Sequence, residues 1–230
     1  VEVYEFNNTG AFMLTLHIYK HCPFCLRAVM VANYRQVDYK TSYLLNDDSE
    51  TCEQLIGKKM VPILEFADGT AMAESLDIAQ NLAEQGNPER EILAPAGSAP
   101  FTSVFDALGT EINQLVFPRN VKIDQPEFKT ASARAYFQKK KEATIGMSFD
   151  EAWGITERLI NAVEGGLNEL PAPPLPSARG DRLCWDDVFI YPTLRNLTMV
   201  KGLHFPAAIK QYLNEVATLT NTELYFDEAV

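Results

Sequence analysis

Long hydrophobic runs are missing from this sequence: none approaches the roughly 18 to 20 apolar residues that a membrane span needs. Positive charge is scarce as well, with 20 Lys and Arg against 31 Asp and Glu and a net charge of −11. That balance argues against a nucleic-acid or anionic-membrane partner, because neutralising phosphates takes clustered basic side chains. The one basic run, Lys139-Lys140-Lys141, is followed at once by Glu142 and reads as the solvated face of a helix. Cysteine is limited to four residues, Cys22, Cys25, Cys52 and Cys184, and only the first two lie close together. The opening Val1-Glu2-Val3-Tyr4 lacks a basic and then apolar leader pattern, so no secretory signal is visible. The expected compartment is therefore the cytoplasm, and the cysteines are to be weighed as redox-active or metal-binding before structural.

What is present is a folded chain of two characters, 47% hydrophobic over 230 residues. Leu14 to Tyr19 is short, apolar and strand-like, and Lys20-His21 breaks it. Cys22-Pro23 opens a helical pattern through Leu26, Val29 and Met30. A second strand runs from Val37 to Leu44, with Val37, Tyr39, Thr41 and Tyr43 on one face. Asn46-Asp47-Asp48-Ser49 is a turn able to cap a short helix over about 50–56. A hairpin follows, Val61 to Phe66 and Thr70 to Met72 around Ala67-Asp68-Gly69, and then a helix from about Glu74 to Glu84. The order β-α-β-α-β-β-α is that of a thioredoxin-like α/β domain, placed at residues 13–85. A Gly-, Pro- and Ala-rich linker spans 86–100.

From 101 to 230 the pattern is all helical. Phe101, Val104, Phe105, Leu108, Ile112, Leu115 and Val116 form one broad apolar stripe, and further helices are expected over 129–145 and through Ile155 to Leu167. Pro192 should kink or break the helix that starts near Trp185, and Pro206 suits the first turn of the last one. Residues 1–12 fit neither half; Met13 reads as the natural start, preceded by a tag or extension.

The chemistry sits at Cys22-Pro23-Phe24-Cys25. A strand ending just before this motif and a helix beginning with it place Cys22 at a helix N-terminus, where unpaired N–H groups and the helix dipole favour an anion. Pro23 supplies a pre-set φ for the first turn. Cys25, three residues on, is within disulfide reach but inside the helix, so Cys22 attacks and Cys25 resolves. A pKa as low as about 5 would leave attack no faster, since nucleophilicity falls with basicity, and would mainly make Cys22 a good leaving group. A structural zinc would need a second pair of ligands, and no metal site is expected, with His17 and His21 weighed and set aside. An iron–sulfur cluster shared between chains stays open. Cys52 and Cys184 read as small hydrophobes.

These residues, with Val61-Pro62 and Glu74-Ser75 at their spacing, resemble glutaredoxins. The helical half narrows the likeness to the large two-domain bacterial glutaredoxin 2 family, through Leu44-Leu45-Asn46-Asp47-Asp48, Tyr136-Phe137, Lys140-Lys141-Glu142-Ala143 and Tyr191-Pro192-Thr193-Leu194-Arg195-Asn196-Leu197-Thr198. The resemblance implies a glutathione-transferase-like architecture, glutathione as cosubstrate, and glutathionylated or disulfide-containing proteins as partners, handled by a monomer. It implies that Val61 precedes a cis Pro62 whose backbone pairs with glutathione's cysteinyl part. Glu74 and Ser75 would receive the γ-glutamyl carboxylate. Pro23 and Phe24 would flank the tripeptide, and Lys20 and Lys58 or Lys59 are candidates for its glycyl carboxylate. Two departures stand out: Phe24 replaces a frequent Tyr, and Cys184 takes the place of a Ser or Thr cap, leaving that helix to rely on Asp186 or Asp187. Rival functions are an omega-like glutathione transferase, an iron–sulfur-binding regulatory protein and, least compatible with the lack of an apolar segment, a membrane-inserting chloride-channel-like relative.

Overall fold

The computed structural model describes residues 13–230, so the expectation for 1–12 lies outside the described residues. The first half alternates as its hydrophobic pattern dictates: β1 (Leu14–Ile18), α1 (Pro23–Tyr34), β2 (Tyr39–Tyr43), α2 (Glu50–Ile56), β3 (Ile63–Glu65), β4 (Ala71–Met72) and α3 (Ser75–Gln85). The strands lie in the order β2-β1-β3-β4. β1 runs parallel to β2, with Leu16 opposite Thr41, and antiparallel to β3, with Leu16 opposite Leu64. A parallel β1–β2 pair requires a crossover, which α1 provides. Leu16, Ile63 and Leu64 are fully buried, each contributing about 1.5–3 kcal/mol relative to exposure.

The second half contains α4 (Ala99–Ala107), α5 (Gly109–Asn120), α6 (Ala131–Ile145), α7 (Phe149–Gly154), α8 (Thr156–Glu169), α9 (Trp185–Leu197) and α10 (Ala207–Thr220). The apolar stripe expected as one helix is divided at Leu108, a non-helical joint between α4 and α5. Pro192 does not break α9, which runs through it, and Pro118 lies inside α5. Both prolines are buried, so packing offsets the missing N–H. Pro206 stands one position earlier than expected, as the cap of α10.

The halves share one core. α1 packs on α3 within its own half and on α9 and α10 across the boundary. The stretch between α3 and α4 is irregular yet fastened: the Leu93 N–H donates to the Leu183 carbonyl at 2.8 Å, and the Asp186 carboxylate accepts from the N–H groups of Ala96 and Gly97. Arg35, at the end of α1, donates to the carbonyls of Gly86 and Arg90. A Cβ at Gly86 would stand 2.4 Å from that of Arg35, so only glycine permits this approach.

Candidate active site

Cys22 is the N-cap of α1, with extended backbone (φ −72°, ψ 119°) and Pro23 in the first turn. Its sulfur accepts the Cys25 N–H at 3.4 Å. Cys22 is 9% exposed, Cys25 only 1%, and Phe24 between them is 52% exposed. One edge of the motif therefore meets solvent while the second thiol stays covered. Both are free thiols, as are the buried Cys52 and Cys184; Cys52 packs in the core as expected, whereas Cys184 departs from the small-hydrophobe reading by donating to the Ala94 carbonyl at 3.2 Å.

The Cys22 thiol is brought down to about 7, chiefly by a hydrogen bond from the Cys25 side chain, against the opposing effect of burial. His21 and the N–H groups of Cys25 and Phe24 add to the lowering. Cys25 is pushed well up by burial and by its role as donor to Cys22. The value differs from the 5 entertained on sequence grounds, and the leading cause is the neighbouring thiol, with the helix-terminal amides contributing less. At neutral pH a fall from about 8.5 to about 7 raises the thiolate fraction roughly 15-fold, while intrinsic nucleophilicity drops roughly sixfold. Attack gains about threefold, and departure improves as well.

The turn carrying the motif is held from the helical half. The buried Glu127 carboxylate accepts both the His21 N–H, at 3.0 Å, and the His21 ring Nδ1. That pairing draws the carboxylate below its ordinary value although burial opposes it. The Asn196 side chain donates to the His21 carbonyl at 2.8 Å, and Arg195 donates to the Lys20 carbonyl at 2.9 Å. The His21 ring stacks on Phe128 and meets Phe137 edge-on.

A groove of about 820 Å³ runs over Cys22 between the halves. Pro23, Phe24, Arg27, Lys59 and Val61 line it from the first half, and Phe117, Tyr136, Lys140, Lys141 and Asn196 from the second. The Val61–Pro62 bond is cis. Glu74, the cap of α3, has φ 72°, a conformation that costs a non-glycine residue about 1–3 kcal/mol. Ser75 opens α3 and lies 3.5 Å from the Arg27 guanidinium, which also faces the Phe24 ring.

The lysines separate. Lys59 lines the groove, donating to the Asn46 carbonyl at 2.6 Å with its ammonium 3.7 Å from the Tyr136 ring centre. Lys58 forms an exposed pair with Glu74. Lys20 turns away, pairing with Glu223 at 3.0 Å beside a second cavity behind Cys25. The basic run is also corrected: Lys139 is exposed, but Lys140 and Lys141 line the groove. Sequence reasoning did not identify Glu127, Arg195, Asn196, Arg27 or Lys141 as site residues. The first three act over separations of 106 and 175 residues, and the likeness of the Lys140-Lys141 and Arg195-Asn196 stretches to known proteins was the one signal available.

Comparison with known proteins bears on this arrangement. Residues 102–229 match the model of the glutaredoxin 2 C-terminal domain, and residues 21–85 match a glutathione S-transferase N-terminal domain. Glutaredoxin 2 of Escherichia coli K12 is 34% identical over 219 residues, covering 94% of this chain and all of the relative. The chain belongs to the glutaredoxin 2 family. The solved structure of glutaredoxin 2 from Salmonella typhimurium, in complex with glutathione, superposes on this glutaredoxin with a TM-score of 0.87 at 33% identity, over 96% of this chain and all of that one. A glutathione transferase from Phanerochaete chrysosporium shares the fold, with a TM-score of 0.62 at 19% identity over 90% and 97% of the two chains. Membership makes this chain a glutathione-dependent thiol–disulfide oxidoreductase with a thioredoxin-like domain and a helical one.

Proposed function

We propose that Cys22 is the nucleophile and Cys25 the resolving thiol in the reduction of protein–glutathione mixed disulfides and of protein disulfides. The observation that carries this reading is the Cys22 sulfur at the mouth of α1, in an inter-half groove, with its pKa drawn to about 7. The Cys22 thiolate attacks the glutathionyl sulfur of the substrate, forming a Cys22–glutathione disulfide and releasing the protein thiolate, which takes a proton from solvent. A second, deprotonated glutathione then attacks the bound glutathionyl sulfur. Glutathione disulfide forms and Cys22 departs as thiolate, so one free glutathione reduces each mixed disulfide and its sulfur is joined to the glutathionyl sulfur taken from the substrate. Protein disulfides would instead be resolved by Cys25.

The bound tripeptide would lie along Val61 and Pro62, with its γ-glutamyl end at Glu74 and Ser75 and its flank against Pro23 and Phe24. Lys59 suits the glycyl carboxylate, being the candidate lysine that lines the groove. Lys20, paired with Glu223, suits it less. Residues 13–85 and 101–230 would be the two domains, joined by 86–100. Both contribute to the groove within a single chain, which supports a monomer as the working unit. Four unpaired thiols support a reducing compartment such as the cytoplasm, with glutathionylated proteins as partners.

The test is turnover of a glutathionylated protein, coupled to glutathione reductase. Cys22→Ser should lose at least about a thousandfold, as expected when the nucleophile of a covalent mechanism is removed. Cys25→Ser should keep most of that activity and lose reduction of protein disulfides. Full activity in Cys22→Ser would overturn the assignment.

A further inference from the structure

Lys141 is a lysine with unusual surroundings. It leaves α6 toward the groove, and its ammonium lies 4.5 Å from the centre of the Phe117 ring and 5.7 Å from that of Phe137. Phe137 is the ring that meets His21 edge-on at 5.2 Å, and His21 directly precedes Cys22. Among the described residues no carboxylate forms an ion pair with Lys141. Burial pushes its ammonium below the ordinary lysine value, and the Cys22 sulfur acts in the opposite sense. A partly buried cation left without an anion is unfavourable unless some negative charge compensates it. The groove offers few compensating anions. Asp106 of α4 lines it without pairing to Lys141, and Glu127, which does not line the groove, holds His21 through Oε1 and leaves its buried Oε2 without a partner. The Cys22 thiolate is the group that forms there when the enzyme is ready to react.

We propose that Lys141 is an electrostatic positioning residue for Cys22, a charge delivered from the helical half that stabilises the thiolate both as attacking group and as leaving group. This rests on the assignment of Cys22 as nucleophile. Other titratable groups around that sulfur are His21 and Cys25 beside it, Tyr19 before it, Arg27 of α1, Lys59, Asp106 of α4, Glu127, and Tyr136 and Lys140 of α6. Lys141 differs from the other lysines of this set. Lys59 has a carbonyl partner, whereas Lys140, though it lines the groove, is exposed and lies 5.0 Å from the Tyr136 ring centre.

The experiment follows iodoacetamide alkylation of the full-length protein from about pH 5 to about pH 9.5, quantifying the Cys22 peptide by mass spectrometry. Wild type, Lys141→Met, Lys141→Gln, Lys141→Arg and Lys139→Met are compared, with circular dichroism confirming that each is folded. Lys141→Met and Lys141→Gln should raise the alkylation midpoint by roughly half a unit or more and slow deglutathionylation near pH 6.5 by about 1.5-fold, a roughly threefold fall in thiolate fraction being partly offset by the higher nucleophilicity of a more basic thiolate. Lys141→Arg should restore most of both, and Lys139→Met should match wild type. Two neutral variants within about 0.2 unit of wild type, an arginine variant as impaired as the methionine one, or an equal shift in Lys139→Met would each overturn the proposal. A wild-type midpoint near that of free cysteine would instead overturn the assignment of Cys22 itself, so the two failures are told apart.

Discussion

Helices α1 and α9 both open with a cysteine, yet their sulfurs are driven in opposite directions. Cys22 is lowered to about 7, whereas burial raises Cys184, with Asp187 and Asp186 adding to the rise against a backbone hydrogen bond. The backbone setting is similar, an extended residue ahead of a helix. What differs is the company. The first turn of α1 holds no acidic residue, while that of α9 holds two. Around Cys184 the negative role is already filled: the Asp187 carboxylate accepts the Cys184 N–H at 2.8 Å, and the Cys184 thiol donates outward to the Ala94 carbonyl. A helix mouth thus favours one anion. When a carboxylate occupies it the sulfur serves as a donor; when none does and a second thiol donates to it, as Cys25 does to Cys22, the sulfur becomes the anion.

The comparison is most strongly tested by emptying the α9 mouth. Asp187 also pairs with Arg179 and accepts from the buried Tyr212 hydroxyl at 2.9 Å. Asp187→Ala strands these buried partners, and chemical denaturation should show a loss of about 3–5 kcal/mol. A loss under about 1 kcal/mol would mean the carboxylate is not the anchor of that helix. Next in size is the effect of Cys25 on its neighbour. Cys25→Ala removes the thiol donor that dominates the lowering of Cys22, so the pH at half-maximal alkylation should rise by about one unit, whereas Cys25→Ser keeps a donor and should hold most of the shift. The sign follows from the reaction: thiolate forms as pH rises, so wild-type reactivity climbs through about 7 and then levels off. An alanine variant with an unmoved midpoint would return the credit to the backbone amides. The smallest effect belongs to Cys184→Ser, which should leave turnover unchanged and shift stability by no more than about 1 kcal/mol, because a hydroxyl can take over the bond to Ala94.

The α/β half was largely legible in the chain, for a local reason. Its strands are set by period-two apolar runs, its turns by Asn, Asp and Gly clusters, and its reactive cysteine by a proline in the next position. β2 and α3 each lie within a residue or two of where the pattern placed them, and the cis Pro62 implied by family likeness is found. The helical half was legible as a class but not in its joints. The division at Leu108 leaves the apolar spacing unbroken, and the stability of α9 around Pro192 comes from burial, which no local rule reports. Least visible were the groups that make the site work together. A glutamate beside Phe128 and an arginine–asparagine pair in α9 look like ordinary helix-surface chemistry until the fold brings them to Lys20 and His21. The Lys140-Lys141 pair misled for the same reason, since a charge run says nothing about which of its members face inward.

The hold of Glu127, Arg195 and Asn196 on the two residues ahead of Cys22 limits how the molecule can be divided. A fragment ending near residue 85 would carry the whole four-residue motif and every strand of the sheet. It would also leave the amide of His21 and the carbonyls of Lys20 and His21 facing water, deprived of the three side chains that hold them. The helical half is therefore part of the mounting of the reactive sulfur, and a chain trimmed to its smaller portion would retain the tool while losing the grip that aims it.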